Sequence, residues 1–285
     1  MHRALEVLAA LAATAAAAAG QQGPDGSPSR QPPGRVIVVQ NLAPHARRQP
    51  VACVVPFAEG VAFENPSLTV EDRPTAWQPF GARWPDGSWR QALCFFRVDI
   101  PALSEQQLAI LSGASTPSKV TLDMPPADLT VVVRRGDREV RAVPARVCDL
   151  ETNRFRRVEL RRARVGDTGI VVEVIVTAWR DQSFADVSIA AFFSDDGSTD
   201  MQRHVDELAI ECRDMGLVLR HSGYLGVDQR RTDYGSRTVL LRDQTLGDGQ
   251  GIRRVGVLVP PLTGERQTDE TLRAATVAPL LAATT

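Results

Sequence analysis

Residues 169–193 read GIVVEVIVTAWRDQSFADVSIAAFF, and this stretch decides the fold. After Gly169, Ile170–Trp179 is a β-branched apolar run with polar residues only at Glu173 and Thr177, and Asp186 and Ser188 alternate with Val187 and Ile189 before Phe193. This near period of two reads as two strands, Gly169–Trp179 and Asp186–Phe193. Arg180-Asp181-Gln182-Ser183 separates the two runs as a polar turn, so the pair reads as a β-hairpin. Asp195-Asp196-Gly197-Ser198 ends the second strand.

The same period extends outward in both directions. Upstream, strands are expected at Arg35–Gln40, Val51–Val55, Ser67–Glu71, Ala76–Trp84, Ser88–Val98 and Gln107–Leu111. After a polar break at Ser112–Ser118 they are expected at Leu129–Arg134, Glu139–Val143 and Arg156–Val165. Beyond the hairpin they continue at Glu207–Cys212, Leu217–His221, Arg237–Arg242 and Arg254–Val259. Strands at roughly ten-residue spacing without intervening helical patterns indicate sandwiches or barrels. The chain is therefore read as all-β, with domains at 35–112 and 113–285 and one short helix near Thr268–Ala275.

Residues 1–20, MHRALEVLAALAATAAAAAG, pair a short basic start with an apolar run and Ala17-Ala18-Ala19 before Gly20. That is the layout of a secretory signal peptide, and an uncleaved alanine-rich helix is the rival reading. The run is too short and too weakly apolar for a membrane span. Residues 21–34, QQGPDGSPSRQPPG, lack the apolar side chains to pack and read as a disordered or extended linker.

Composition narrows function by exclusion. The 285 residues are 43% hydrophobic and 24% charged, enough for one large or two ordinary cores. A formal net charge of −1 lacks the cation surplus that displaces phosphate counterions, so nucleic acid is not an expected partner. Of 33 Lys and Arg residues only Lys119 is lysine, a skew that follows either from a GC-rich genome or from recognition of carboxylates and phosphates by planar guanidinium groups. Cys53, Cys94, Cys148 and Cys212 are too dispersed for a structural zinc site. Export would permit disulfides among them, which spacing does not pair.

A family resemblance appears in the first third. Val54-Val55-Pro56-Phe57-Ala58-Glu59-Gly60-Val61 precedes Gln78-Pro79-Phe80, then Arg83-Trp84-Pro85-Asp86-Gly87-Ser88, then the apolar run Gln91-Ala92-Leu93-Cys94-Phe95-Phe96. Over about 80 residues, from Arg35 to Ser112, this resembles the N-terminal RIFT-barrel domain of the exo-rhamnogalacturonan lyase family. The resemblance implies a RIFT-like β-barrel followed by a β-sandwich-type domain, in a glycan-related setting. Trp89 follows Ser88 directly, whereas family members place a tryptophan further on. The chain also has no run of amphipathic helices to build the α/α toroid that carries the family's chemistry. No catalytic residue is therefore carried over.

Two groups of residues stand out as candidate glycan contacts. Trp77, Trp84 and Trp89 crowd around one hairpin, either as stacking platforms for pyranose rings or as core and rim packing. Arg220, His221, Tyr224, Arg230, Arg231 and Tyr234 lie within fifteen residues, as a charged loop or as a site for an acidic sugar. Arginine beside histidine or tyrosine also supplies the cation and base of a uronate β-elimination. Asp86 is expected to cap turn amides. Asp195, Asp196 and Asp200 miss the order of calcium-loop ligands, and Gly247–Gly251 lacks the Lys-Ser/Thr of a phosphate loop. No G-x-S-x-G elbow is present.

The expected function is a non-catalytic β-domain protein, without a cofactor, that is exported or displayed on a particle surface. It binds a polysaccharide or acidic glycan, or serves as an assembly module with protein partners, a phage virion or tail component included. A truncated or degenerate rhamnogalacturonan lyase is the rival. The expected location is secreted, periplasmic or cell-surface, with the virion as alternative.

Overall fold

The computed structural model describes residues 35–63, 66–113, 128–180, 182, 184–194, 202–220, 237–259 and 281–284. The expected leader, linker and short helix near Thr268–Ala275 lie outside them. Every regular element among the described residues is a strand, so the all-β reading holds.

The chain divides into two compact units. The first holds β1 (Val36–Asn41), β2 (Arg47–Pro56), β3 (Leu68–Val70), β4 (Ala76–Pro79), β5 (Gln91–Ile100), β6 (Ser104–Ser112) and β17 (Leu281–Thr284). The second holds β7 (Leu129–Arg135), β8 (Arg138–Ala142), β9 (Ala145–Thr152), β10 (Arg156–Arg164), β11 (Ile170–Trp179), β12 (Ala185–Phe193), β13 (Gln202–Cys212), β14 (Gly216–Arg220), β15 (Arg237–Gly247) and β16 (Gly251–Val259). The sequence reading groups 113–285 together, whereas the last strand pairs antiparallel with β1 and so stands with the first unit.

In the first unit a four-stranded sheet, β17-β1-β6-β3, and a three-stranded sheet, β2-β5-β4, share one core. Ile37, Val39 and Leu108 from one sheet meet Val55, Phe96 and Val98 from the other, all without solvent exposure. The expected strand Ala76–Trp84 stops at Pro79. Proline has no N–H for a ladder, and Gly81 turns the chain with φ of +74°.

Cys53 and Cys94 stand directly opposite one another across β2 and β5, buried in this core. The Phe57 amide donates to the Arg90 carbonyl at 2.9 Å. Stepping two residues at a time along the same register makes Cys53–Cys94 a hydrogen-bonded pair, the wider of the two antiparallel pair types. Both cysteines are free thiols. Burial first, and the neighbouring Cys53 thiol second, push the Cys94 thiol well above its ordinary range.

The second unit is a sandwich of a six-stranded sheet, β14-β16-β12-β11-β10-β9, and a four-stranded sheet, β15-β13-β7-β8. The quoted hairpin is its centre. β11 and β12 pair from Ile170–Phe193 to Ala178–Ala185, and both alternate buried and half-buried residues throughout. Val172, Val174, Val176, Val187 and Ile189 face Val131, Val133, Leu208 and Ile210 across the core. Each such side chain contributes about 1.5–3 kcal/mol by leaving water.

The edge strand β9 has no counterpart among the expected strands. Its pairing with β10 skips Leu150, between Val158–Glu151 and Glu159–Asp149, and then Val147, between Leu160–Cys148 and Arg161–Arg146. These two bulges turn Leu150 and Val147 out to solvent, where both are at least half exposed, and blunt the edge against strand addition. On the core side of β10, Glu159 is buried, and its carboxylate accepts from Arg161 Nε at 2.6 Å with Arg157 and Arg146 alongside. A buried carboxylate needs such partners.

Candidate functional site

The second unit carries a cleft of about 390 Å³, lined by Val133, Arg135, Gly136, Arg138, Val140, Asp167, Thr168, His204 and Asp206. Two tight turns and one strand build it. Arg135 pairs with Arg138, so Gly136-Asp137 is a two-residue reversal, and Gly136 takes the positive φ of +57° that this reversal needs. The freed Gly136 amide donates to the Asp206 carboxylate, which fixes the β7–β8 turn onto β13.

The β10–β11 turn forms the opposite wall. Buried Thr168 donates its hydroxyl to the Val165 carbonyl at 2.6 Å and accepts from the Ile170 amide at 3.2 Å. This holds Asp167 outward, where it accepts from Arg138 Nη1 at 2.8 Å. That hydrogen bond, more than any other contact, holds the Asp167 carboxyl below the ordinary aspartate range. The Arg135 charge lowers it further. Gly166 is required here, because a Cβ on it would lie 2.9 Å from Val140 Cγ1 at a φ of +51°.

The third wall is β13. His204 and Asp206, two apart, point to the same side of the strand. His204 Nε2 lies 3.3 Å from Asp206 Oδ1 and 3.2 Å from Asp243 Oδ1 on β15, while Nδ1 is 3.3 Å from the Thr245 hydroxyl. Asp243 stands exposed at the rim, on a left-handed backbone with φ of +48°. The arrangement is a polar basin over Val133 and Val140, with hydrogen-bond donors and acceptors interleaved around it. Among the described residues no group of three or more His, Cys, Asp or Glu side chains is disposed to hold a metal ion.

The other dense charge cluster is committed to itself. On the outer face of β8, β13 and β15, Arg237 donates to Glu207 at 2.6 Å and 3.0 Å and to Glu211 at 3.2 Å, while Arg141 grips Glu211 with two hydrogen bonds. Such pairs hold a sheet face together and leave little for a ligand.

The tryptophans do not form one platform. Trp77 and Trp89 are buried in the first core; Trp77 Nε1 donates to the Leu68 carbonyl at 2.9 Å, and its ring meets Phe57 edge-on at 5.7 Å. Trp84 is half-buried, its Nε1 donates to the Phe57 carbonyl at 3.0 Å, and the Arg90 guanidinium covers its ring at 5.0 Å. Asp86 caps its turn as expected, accepting from the Ser88 amide at 2.9 Å and the Ser88 hydroxyl at 2.6 Å. Arg220 ends β14, but its side chain, with His221, Tyr224, Arg230, Arg231, Tyr234 and the aspartates at 195, 196 and 200, lies outside the described residues.

The sequence reading missed the cleft. Its signal was the alternation in Gln202-Arg203-His204-Val205-Asp206, which extends β13 by five residues ahead of the expected start at Glu207. Among the described residues no helix is long and apolar enough to cross a membrane. No family model matches the chain, and no curated protein matches it. Among solved structures, an α-mannosidase from Enterococcus faecalis V583 aligns with a TM-score of 0.44 and 9% identity, over 88% of this chain and 46% of its own. The chain thus spans less than half the length of that protein.

Proposed function

We propose that the protein is a non-catalytic glycan-binding β module whose site is the cleft formed by the β7–β8 turn, the β10–β11 turn and β13. The observation that carries this reading is the interleaving of guanidinium donors and carboxylate acceptors around an apolar floor. Sugar hydroxyls both donate and accept, and a few convergent polar groups over an apolar base are what orient a small ligand. The resemblance of residues 35–112 to the exo-rhamnogalacturonan lyase domain supports a glycan setting, and the leader-like residues 1–20 support export. A lyase on this chain would release unsaturated uronates that absorb in the ultraviolet.

A glycan array probed with the full chain and with Arg135→Ala tests the reading. The wild type is expected to bind a defined subset of glycans. The variant is expected to bind them about 10–100-fold more weakly, the cost of one charge-assisted hydrogen bond. Wild-type silence across the array, or equal binding by the variant, contradicts the proposal.

A specific observation favours a second reading, an assembly module. Val143 just ahead of β9, and Val147 and Leu150 on it, are 69%, 53% and 50% exposed, apolar side chains that a protein partner would cover. A particle-surface location belongs to this reading.

A further inference from the structure

We infer that the cleft takes an uncharged, hydroxyl-rich sugar and turns uronates away, an inference that rests on the cleft being the glycan site. The charge balance of the walls carries it. Two carboxylates, Asp167 and Asp206, and two guanidinium groups, Arg135 and Arg138, line the cleft, and the exposed Asp243 at its rim, against His204, adds a third carboxylate. Arg138 is already held by Asp167 at 2.8 Å. A sugar carboxylate entering the basin meets one uncommitted cation and a majority of like charges, an arrangement that works against binding.

A neutral pyranose meets no such conflict. Adjacent hydroxyls of one ring act in opposite senses, one donating to Asp206 or Asp167 while its neighbour accepts from Arg135. Val133 and Val140 form an apolar floor for the C–H face of the ring. The volume of about 390 Å³ lies at the small end of ligand pockets and suits a terminal residue or a short chain end. Acidic-sugar recognition was the expectation attached to Arg220–Tyr234 and to the lyase resemblance. The charge of this cleft points the other way.

The test is an NMR titration of the full chain, with the His204 ring resonances as reporter. The probes are the methyl glycosides of glucose, galactose, mannose and rhamnose, set against those of glucuronic and galacturonic acid. At least one neutral glycoside is expected to shift His204 and to bind at least ~10-fold more tightly than either uronate. Asp206→Asn and Asp243→Asn, each removing one negative charge, are expected to narrow that gap. Asp243 lies on the rim and carries this test if the loss of the Asp206 contact to Gly136 disturbs the fold.

Uronates that bind the cleft as well as the neutral sugars, or better, overturn the inference and leave glycan binding intact. Neutral sugars that bind without moving His204 overturn both the selectivity and the location. If no glycoside of either kind binds, the glycan reading itself falls.

Discussion

Phe193→Ala is expected to destabilise the second unit by about 3–5 kcal/mol, the usual cost of emptying a buried aromatic position. Phe193 is 1% exposed and ends β12 opposite Ile170. Its amide donates to the Gln250 carbonyl at 2.9 Å, and its carbonyl accepts from the Gly249 amide at 3.0 Å. Both bonds reach the β15–β16 turn, and on the β11 side the neighbouring Ser194 amide donates to the Gly169 carbonyl at 2.9 Å, so the backbone is held against sliding inward to fill the space. For a unit of this size the loss corresponds to a fall in Tm of roughly 6–20 °C. Urea unfolding of the two proteins measures it; a difference below about 1 kcal/mol would show a pliable core.

The second large effect is at Gly169. Its φ is +73°, and a Cβ there would lie 2.4 Å from Phe193 Cε2. Gly169→Ala therefore carries a backbone penalty of about 1–2 kcal/mol and a ring clash of about 1–3 kcal/mol. The two positions are coupled. In the Phe193→Ala background the clash disappears and only the backbone term remains, so a double-mutant cycle is expected to show at least about 1 kcal/mol of coupling. Gly249→Ala is the control, since Gly249 has φ of +70° with no atom within 4 Å of the added Cβ. Additive effects at 169 and 193 would contradict the packing described. The pair also bears on the cleft, because Gly169 follows the turn that presents Asp167.

How much was legible in the sequence depended on how regularly each strand is buried. The hairpin of β11 and β12 alternates without interruption, and its expected bounds differ from those observed by one residue at the start of each strand. The Trp84–Ser88 turn was equally clear, because Gly87 takes φ of +85° and Asp86 binds the Ser88 amide. β9 was illegible for the opposite reason. Two bulges and nearly continuous exposure erase its period of two, and Ala-Arg-Val-Cys-Asp-Leu-Glu-Thr reads as a loop. Leu281–Thr284 is short and alanine-rich, and only its pairing with β1 makes it a strand.

The cleft was hidden for a topological reason. Its walls come from residues 135–138, 167–168 and 204–206, which no local window brings together. The register Glu207–Arg134 between β13 and β7 sets Asp206 beside the Gly136 turn, and that register is fixed by the buried faces of both strands. The tryptophans misdirect for a related reason. Three indoles close in sequence suggest a platform, but alternation in strands and turns sends Trp77 and Trp89 inward and leaves Trp84 at the surface beneath Arg90.

We propose that the polar cleft of the second unit holds a sugar. The most direct test is a crystal structure of the full chain with the best-binding glycan from the array. A sugar ring is expected over Val133 and Val140, with hydroxyls hydrogen-bonded to Arg135 and to Asp206 or Asp167. A ring stacked at Trp84, or an empty cleft beside a glycan bound elsewhere, would contradict it.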